Sequence, residues 1–267
     1  SPAVLESRKM TLELLLSNHK KECLYCSRAG HCELQALCQE LGVHHEPAFD
    51  GVRNEYEIDT SAAHMTRDNE KCINCRRCIA ACTNVQGIGV IGANYRGFKT
   101  SIGSPFDMDL ADTACVSCGQ CIAVCPTCAL NEKDDTDKVW AALNDPDKVV
   151  VVQTAPAVRA SIGEAFGYPM GTNVEGKMAA ALRRLGFNAV FDTDFGADLT
   201  IMEEATELLD RVQNGGVLPM ITSCSHGWIR YCEAYYPEMI PNLSSCKSPQ
   251  KMKGAITNTY WAKKMGI

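Results

Sequence analysis

The sequence predicts an α+β, metal-binding first part followed by an α/β domain with a parallel sheet. Two observations predict this fold class. Thirteen of the sixteen cysteines fall before residue 129, in groups with two- and three-residue gaps. From about residue 147, short apolar runs alternate with helical patterns, which is typical of parallel sheets. We predict three domains, at residues 1–64, 65–138 and 139–267.

Composition and charge exclude several classes of function. The 267 residues are 46% hydrophobic, enough for a proper core, and the formal net charge of −6 argues against a nucleic-acid or anionic-membrane surface. No run of eighteen apolar residues predicts a membrane span, and the N-terminal stretch lacks a signal-peptide pattern. Tightly spaced cysteines without a signal peptide favour metal binding over disulfides. We therefore expect a cytoplasmic metalloprotein.

The two central cysteine groups repeat one motif. The stretches "CINCRRCIAAC" and "CVSCGQCIAVCP" share the spacing C-x2-C-x2-C-x3-C, as in bacterial two-cluster ferredoxins. Three closely spaced thiolates hold three irons of a [4Fe-4S] cubane, and the fourth cysteine of each run serves the other cluster. One cluster is therefore predicted on Cys72, Cys75, Cys78 and Cys125. The other is predicted on Cys115, Cys118, Cys121 and Cys82.

Zinc is the competing metal for these groups, but it needs two C-x2-C pairs, not two complete runs of four cysteines. The spacing therefore predicts a ferredoxin-like α+β domain with two clusters at residues 65–138. Cys128, in "CPTCAL", stands where ferredoxin-like sequences usually have glycine. We interpret it as a bystander thiol.

The first cysteine group, "HKKECLYCSRAGHC", combines a histidine with three thiols. His19, Cys23, Cys26 and Cys32 are together suited to a third cubane, since imidazole ligation changes the charge and potential of a cluster. The spacing alone leaves a zinc site open, and His31 competes with His19. Cys38 belongs to an apolar stripe at helical spacing, with Leu34, Leu37 and Leu41, so we expect it in the core.

Three clusters within about 130 residues predict an electron relay, because no substrate pocket needs so many outer-sphere redox centres. A relay requires a partner at each end. One end should meet a donor or acceptor protein, and the other should lie in the second half of the chain.

The second half reads as an α/β domain. Strands are predicted at 148–155, 187–192 and 217–222, and helices at 175–186 and 198–216. Ligands in such sheets bind outside the carboxyl ends of strands, where Pro156 and Cys224 are expected. Cys232 follows Trp228 at helical spacing and is expected in the core.

The order of motifs resembles one known family. The histidine–cysteine group, the double cysteine motif, "FGADLTIMEEATELLDR", "PMITSC" and "NLSSCKSPQ" together resemble the catalytic large subunit of [FeFe]-hydrogenases of the multi-cluster bacterial type. These enzymes interconvert H2 with protons and electrons. The resemblance covers the whole chain and implies that residues 139–267 are the N-terminal part, or first lobe, of a catalytic domain that holds an H-cluster.

The resemblance also favours His19 over His31, because these hydrogenases carry the pattern H-x3-C-x2-C-x5-C. The large iron–sulfur subunit of respiratory complex I shares that pattern, but the second half of this chain does not resemble it.

In this family the H-cluster joins a cubane to a diiron unit, beside a motif that normally reads Thr-Ser-Cys-Cys-Pro-Gly-Trp. This chain has "TSCSHGW". The resemblance therefore gives Cys224 the proton-relay position and Ser225 the position of the cubane ligand, with His226 in place of proline. Serine is a harder ligand than thiolate and holds iron–sulfur clusters poorly. Either Cys224 becomes the ligand, or the cubane is altered, or the site is degenerate.

The resemblance implies a proton path through Glu204, Glu207, Ser244 and Cys224. Carboxylates shielded from water have pKa values raised toward neutrality, so we expect raised pKa values for both glutamates. Further residues match segments that line the active-site pocket of the family. These are Pro156, Ser248, Pro249 and Gln250.

Two hypotheses follow for the function. The first is a hydrogenase subunit that exchanges electrons with a ferredoxin or with partner subunits, either nicotinamide-linked or formate-oxidising. We expect the sequence to be part of a longer subunit, because the family's other active-site motifs, with three further cysteine ligands, lie downstream, and larger members begin with a two-iron domain. The second hypothesis is an electron-transfer or sensory subunit that lacks a working hydrogen site.

Overall fold

A computed structural model describes residues 1–44, 49 and 51–267 of the chain. The described chain divides into two compact units, Ser1–Lys133 and Asp134–Ile267. The predicted three-domain division, with boundaries after residues 64 and 138, stays a prediction. Within the described ranges, no helix is long and apolar enough to cross a membrane.

The first unit combines short helices with two small antiparallel sheets. Its α-helices are α1 (Pro2–Asn18), α2 (Glu33–Leu41), α3 (Arg77–Ala80) and α4 (Gln120–Ala123). Its strands are β1 (Met65–Arg67), β2 (Gly92–Asn94), β3 (Ser101–Gly103) and β4 (Leu130–Glu132). Strand β1 pairs with β4, and β2 pairs with β3. A π-helix at Ala81–Val85 continues α3, and four 3-10 turns complete the region after residue 64.

The core of the first unit lies around the cysteine runs. Met65, Ile102 and Leu110 are almost fully buried there, and they pack in one cluster with Cys82 and Cys121. Thiols thus occupy positions in the core itself. The short strands and helices therefore pack against some of the same cysteines that are predicted to hold clusters.

Helices α1 and α2 pack on each other through a separate apolar cluster. It contains Leu12, Leu34 and Leu41, and Cys38 packs against it, so the expected core position of Cys38 is confirmed. One residue of the predicted apolar stripe does not lie in the core, since Leu37 is 37% exposed. Gly42 ends α2 with φ of 62°, in the left-handed region that glycine adopts without strain.

The second unit contains the predicted parallel pairing. Strands β5 (Val151–Thr154) and β6 (Ala189–Asp192) are parallel neighbours, which confirms the first two predicted strands. The helices of this unit are α5 (Thr136–Leu143), α6 (Val158–Ser161), α7 (Glu175–Arg184), α8 (Asp194–Asn214), α9 (His226–Tyr235), α10 (Pro249–Ile256) and α11 (Ala262–Met265). A π-helix at Thr257–Trp261 joins α10 to α11. Helix α8 begins four residues before its predicted start.

The third predicted strand, 217–222, is wrong. Only Ile221 takes part in β pairing, through an isolated parallel bridge to Leu243, and the run does not join β5 and β6. The physical reason is Pro219, which has no backbone N–H to donate to a ladder. The bridge still has a consequence for the site. Ile221 donates to Asn242 and accepts from Ser244, which lays the segment before Cys224 alongside the segment before Cys246.

Helices α8 and α10 cross at very close range. A Cβ atom built on Gly196 would lie 2.3 Å from the carbonyl oxygen of Pro249 and 3.1 Å from Cβ of Lys253. Only glycine permits this approach. Thr200, one turn later on α8, is buried and lies 3.5 Å from the carbonyl oxygen of Lys247. The crossing therefore fixes the start of α10 against the helix that carries both predicted glutamates.

Candidate cluster sites and proton path

The structure gathers Cys72, Cys75, Cys78 and Cys125 around one cavity. This cavity is open to solvent, and six of the ten other residues that line it are apolar. Cys72 and Cys75 come from the loop that leads into α3, and Cys78 lies in the first turn of α3. Cys125 arrives from the end of the other run, just after α4, so the cavity combines both motifs.

A second cavity, also open to solvent, takes three cysteines from the second motif and one from the first. Cys115 and Cys118 come from the loop before α4, and Cys121 lies in α4. Cys82 comes from the π-helix that follows α3. Each cavity therefore holds one of the two predicted ligand sets. The fourth cysteine of each motif comes just after the short helix of that motif. Because α3 packs against α4, each of these cysteines lies at the cavity of the other motif.

The two cysteine loops share one backbone conformation. The residues before and after the second cysteine of each run are left-handed, with φ between 54° and 72°. They are Asn74 and Arg76 in the first run, and Ser117 and Gly119 in the second. Such turns direct backbone N–H groups into a concavity that favours negative charge. In the first loop, the N–H of Asn74 donates to the sulfur of Cys72 at 3.4 Å.

The buried thiols of the cavities resist ionisation, so they need metal ions beside them to act as thiolate ligands. Burial, followed by the neighbouring thiols, raises the pKa of Cys78 to about 12, and burial raises the pKa of Cys72 and of Cys121 to about 11. Four thiolates in one apolar cavity would repel each other unless metal ions offset their charge. No three His, Cys, Asp or Glu side chains of the described ranges converge closely enough for a single metal ion. The thiols surround space for a larger group, as a cubane requires.

His19 follows α1 directly, and only 8% of its surface is exposed. Its Nδ1 atom is buried without a hydrogen-bond partner. Burial, then the charge of Lys71, lowers the pKa of His19, so the imidazole is neutral and has a nitrogen available for a metal. His31 is exposed, which makes it the poorer candidate.

The three cysteines of the N-terminal group lie on the connection between α1 and α2. Cys23 begins a 3-10 turn, Cys26 follows that turn, and Cys32 precedes α2. Cys23 is exposed, whereas Cys26 and Cys32 are half-buried. Unlike the other two sets, these thiols are not gathered around a described cavity.

Glu207 lies at the centre of a hydrogen-bond network in the second unit. Ser244 Oγ donates to Glu207 Oε2 at 2.7 Å, and the Ser245 N–H donates at 3.2 Å. Arg211, one turn later on α8, donates to Glu207 Oε1 at 2.6 and 3.1 Å. The structure thus joins Ser244 with Glu207. It also adds Arg211 and Ser245, which the sequence analysis missed, although the i, i+4 spacing of Glu207 and Arg211 was a usable signal.

The two glutamates have opposite pKa shifts. Burial, and then the charge of Glu207, raises the pKa of Glu204, as expected. For Glu207 the expectation was wrong. Burial acts to raise the pKa of Glu207, but hydrogen bonds from Ser244, Arg211 and Ser245 outweigh it and lower the pKa below its usual range. Within the described ranges, no hydrogen bond joins Glu204 to Cys224.

Ser225 has a structural role at the start of α9. It is the N-cap residue, and its hydroxyl accepts a hydrogen bond from the Trp228 N–H at 3.4 Å. Cys224, directly before it, is exposed. Ser223 Oγ donates to the carbonyl oxygen of Cys246 at 3.0 Å, which holds the Cys224 segment on its neighbour. Cys232 is 0% exposed, so its predicted core position is confirmed.

The remaining pocket residues lie at the ends of β5 and α10. Pro156 follows β5 and is exposed. Ser248 is buried and caps α10, accepting from the Lys251 N–H at 3.4 Å, and Pro249 is the first residue of the helix. The backbone oxygen of Gln250 accepts from Gln153 Nε2 of β5 at 3.2 Å. The start of α10 is therefore attached both to the parallel strands and to α8.

Three protein families match consecutive parts of the chain. The family described as the NADH-ubiquinone oxidoreductase-G iron–sulfur binding region matches residues 8–47. The 4Fe-4S dicluster domain matches residues 71–129. The C-terminal domain of the iron-only hydrogenase large subunit matches residues 148–266.

Curated relatives match the chain over most of its length. It is 52% identical to an NADP-reducing hydrogenase subunit HndD of Solidesulfovibrio fructosivorans, over 99% of this chain and 46% of the relative. It is 45% identical to iron hydrogenase 1 of Clostridium pasteurianum, over 100% of this chain and 46% of the relative. A periplasmic Fe hydrogenase large subunit of Nitratidesulfovibrio vulgaris is 39% identical, over 80% of this chain and 50% of the relative.

The chain spans about half the length of these relatives. Its cysteine-rich part matches iron–sulfur families, and its second half matches a hydrogenase domain. The chain belongs to the iron-only hydrogenase large-subunit family.

Proposed function

We propose that the protein containing this chain interconverts H2 with protons and electrons, and that electrons pass along three [4Fe-4S] clusters held by this chain. The observation that carries the proposal is the crossed grouping of eight cysteines around two cavities. Membership of the iron-only hydrogenase family connects that electron relay to hydrogen chemistry.

The proposed ligand sets follow the cavities and the N-terminal group. Cys72, Cys75, Cys78 and Cys125 hold one cluster, and Cys115, Cys118, Cys121 and Cys82 hold the second. His19, Cys23, Cys26 and Cys32 hold the third. When bound, these clusters supply one-electron redox chemistry. The role of the chain is to hold them, to shield them with apolar side chains and to offset their charge with backbone N–H groups.

We assign different tasks to the two glutamates of α8. Glu207 is held as an anion by Arg211, Ser244 and Ser245, so it orients the network. Burial and the charge of Glu207 raise the pKa of Glu204, so Glu204 is the carboxyl group of the pair that takes up a proton more readily. Cys224 is the proposed last proton carrier before the hydrogen site.

An H-cluster is proposed only for the protein in which further chain supplies the remaining ligands. When bound, it supplies the hydrogen chemistry. This chain would contribute Cys224 or Ser225 beside it, and the segments at Pro156 and at Ser248, Pro249 and Gln250 would line the pocket. The buried cap at Ser248 and the close crossing at Gly196 support a fixed position for the last of these segments.

A second function has one specific observation in its favour. The Ser225 hydroxyl is already used as a helix cap, so the position that holds the cubane in the family has a structural role here. That observation favours an electron-transfer or sensory subunit without a working hydrogen site. The retained Glu204, Glu207 and Ser244 favour the enzyme, because a relay subunit has no need of a proton path.

A ferredoxin or partner subunits are the proposed exchangers of electrons. One relative is named as a subunit of an NADP-reducing hydrogenase, which supports partner subunits. We further propose a cytoplasmic location and no nucleic-acid partner, the latter because the formal net charge is −6.

Hydrogen oxidation tests the proposal. The full subunit would be matured without oxygen, and H2-dependent reduction of a viologen dye would be followed for wild type, Glu204→Gln and Glu203→Gln. Glu203 is exposed on the same helix, so its variant is a matched control. We expect wild-type activity, a loss of at least about tenfold in Glu204→Gln, as for a missing general acid–base, and unchanged activity in Glu203→Gln. Inactive wild-type protein with all its clusters would favour the relay or sensor instead.

A further inference from the structure

Arg67 places a buried positive charge at the first cavity, which contains the thiols of Cys72, Cys75, Cys78 and Cys125. The side chain of Arg67 lines this cavity, and only 8% of the residue is exposed. A buried charge is costly unless it is paired and hydrogen-bonded. Burial raises the pKa of Cys72, and the charge of Arg67 acts in the opposite direction. The guanidinium therefore lies close enough to affect a proposed cluster ligand.

The guanidinium of Arg67 is held in one position by its neighbours. Two backbone hydrogen bonds, each of 2.9 Å, join Arg67 to Asp59 as an antiparallel pair. Nη2 of Arg67 donates to Oδ2 of Asp59 at 3.0 Å, and Nη1 donates to the hydroxyl of Ser104, which is buried, at 3.3 Å. A Cβ atom on Gly103 would lie 3.3 Å from Nη1, closer than ordinary contacts, so glycine leaves room for the guanidinium.

The partner of Arg67 is held as an anion on the side away from the thiols. The Ser61 hydroxyl donates to Oδ1 of Asp59 at 2.6 Å, and the Leu110 N–H donates to Oδ2 at 3.3 Å. Burial acts to raise the pKa of Asp59, but the bonds from Ser61 and the charge of Arg67 outweigh it and lower the pKa. Among the described residues, Arg67 lines the first cavity and Asp59 does not. The ion pair thus presents its positive end to the cavity.

The two cavities differ in the charge of their linings. The first cavity is lined by Arg67 and also by Arg76, which is exposed, so water and salt screen its charge. No arginine or lysine is among the described residues that line the second cavity. A buried charge is screened much less than an exposed one. Arg67 therefore distinguishes the first cavity from the second.

We propose that Arg67 raises the reduction potential of the cluster in the first cavity, so that this cluster is reduced before the cluster in the second cavity. A [4Fe-4S] cluster gains one negative charge when it is reduced, and a buried positive charge beside it stabilises the reduced form. Arg67 acts through its charge and is not a cluster ligand. The inference rests on the two clusters of the proposed function.

The test measures the potential of each cluster in the 267-residue protein, purified without oxygen. Iron and acid-labile sulfide are counted first, and reductive titration followed by electron paramagnetic resonance then gives the potentials. The signal that is lost in Cys78→Ser identifies the cluster of the first cavity. Wild type is compared with Arg67→Gln, which removes the buried charge, and with Arg67→Lys, which keeps it. Arg76→Gln is the matched control, because it removes an exposed charge from the same cavity.

We expect the first-cavity cluster of Arg67→Gln to have a lower potential than in wild type. The shift should be smaller in Arg67→Lys and in Arg76→Gln, and the cluster of the second cavity should keep its potential in all three variants. Asp59→Asn removes the negative partner and keeps the guanidinium, so it should raise the potential of the same cluster. That variant decides the question if Arg67→Gln does not fold.

Four results would overturn the inference. An unchanged potential in Arg67→Gln, or an unchanged or lowered one in Asp59→Asn, would show that the buried charge has no such effect. A shift in Arg67→Lys or in Arg76→Gln as large as that in Arg67→Gln would remove the role of the buried charge. Earlier reduction of the second-cavity cluster in wild type would contradict the proposed order. Wild-type protein without a cluster in the first cavity would refute that part of the proposed function, and this inference with it.

Discussion

Replacement of Gly196 by alanine tests the helix crossing that organises the second unit. The new Cβ atom would lie 2.3 Å from the carbonyl oxygen of Pro249, whereas ordinary contacts begin at 3.4 Å. The helices would have to separate by roughly 1 Å. The obstructing atom belongs to the backbone at the start of α10, so no side chain can rotate away from it.

The expected effect is a net loss of stability. Overpacking of this kind costs about 1–3 kcal/mol, and we expect the upper end because the clash is with backbone. Alanine regains about 1 kcal/mol through its higher helix propensity. The net loss is therefore about 2 kcal/mol, which corresponds to a fall of roughly 4–8 °C in Tm for a chain of this size.

Gly254 is the matched control, since it lies inside α10 and a methyl group at this position would have no other heavy atom within 4 Å. Gly254→Ala should raise Tm by roughly 2–4 °C through helix propensity alone. All three tryptophans, Trp140, Trp228 and Trp261, lie in the second unit, so their fluorescence during anaerobic heating reports on it. A Gly196→Ala protein as stable as wild type would refute the close crossing.

Two further predictions concern the cluster ligands and Glu207. If the fourth cysteines cross between the cavities, Cys125→Ser should remove the same cluster as Cys78→Ser. The electron paramagnetic resonance spectra of these two variants should then match. A match between Cys125→Ser and Cys121→Ser would instead mean that each run holds its own cluster. Because the pKa of Glu207 is lowered in the folded protein, its stabilisation is present above the unfolded value of about 4.3 and is lost as the pH falls through the lower, folded value. Glu207→Gln should therefore lower the free energy of unfolding, measured in urea at pH 7, by about 1.5–3 kcal/mol. The difference from wild type should be smaller at pH 4. A difference independent of pH would contradict the lowered pKa of Glu207.

The sequence predicts the parts of this molecule that depend on short spacing. The cysteine runs identify eight residues that the structure groups around two cavities, and the crossing of the fourth cysteines follows from the motif itself. The strands β5 and β6 are visible as apolar runs, because fully apolar runs are typical of parallel strands. The core position of Cys232 follows from helical periodicity.

Other features depend on contacts between distant residues. The run 217–222 is apolar enough to predict a strand, but Pro219 prevents a ladder, and its one bridge is to Leu243. The lowered pKa of Glu207 required knowledge of three donors, two of them from the segment at Ser244 and Ser245. The contact between Cys128 and Ser27 has no local sequence signal, since the two residues are 101 positions apart in the chain.

The most direct test of the central claim is an infrared spectrum of the full subunit, matured and purified without oxygen, in the window where metal-bound CO and cyanide absorb. Protein groups are almost silent in that window. The account predicts sharp bands from a diiron unit, together with the three cubanes of the relay. A blank spectrum from protein that holds all three cubanes would contradict it and would leave an electron-transfer or sensory subunit.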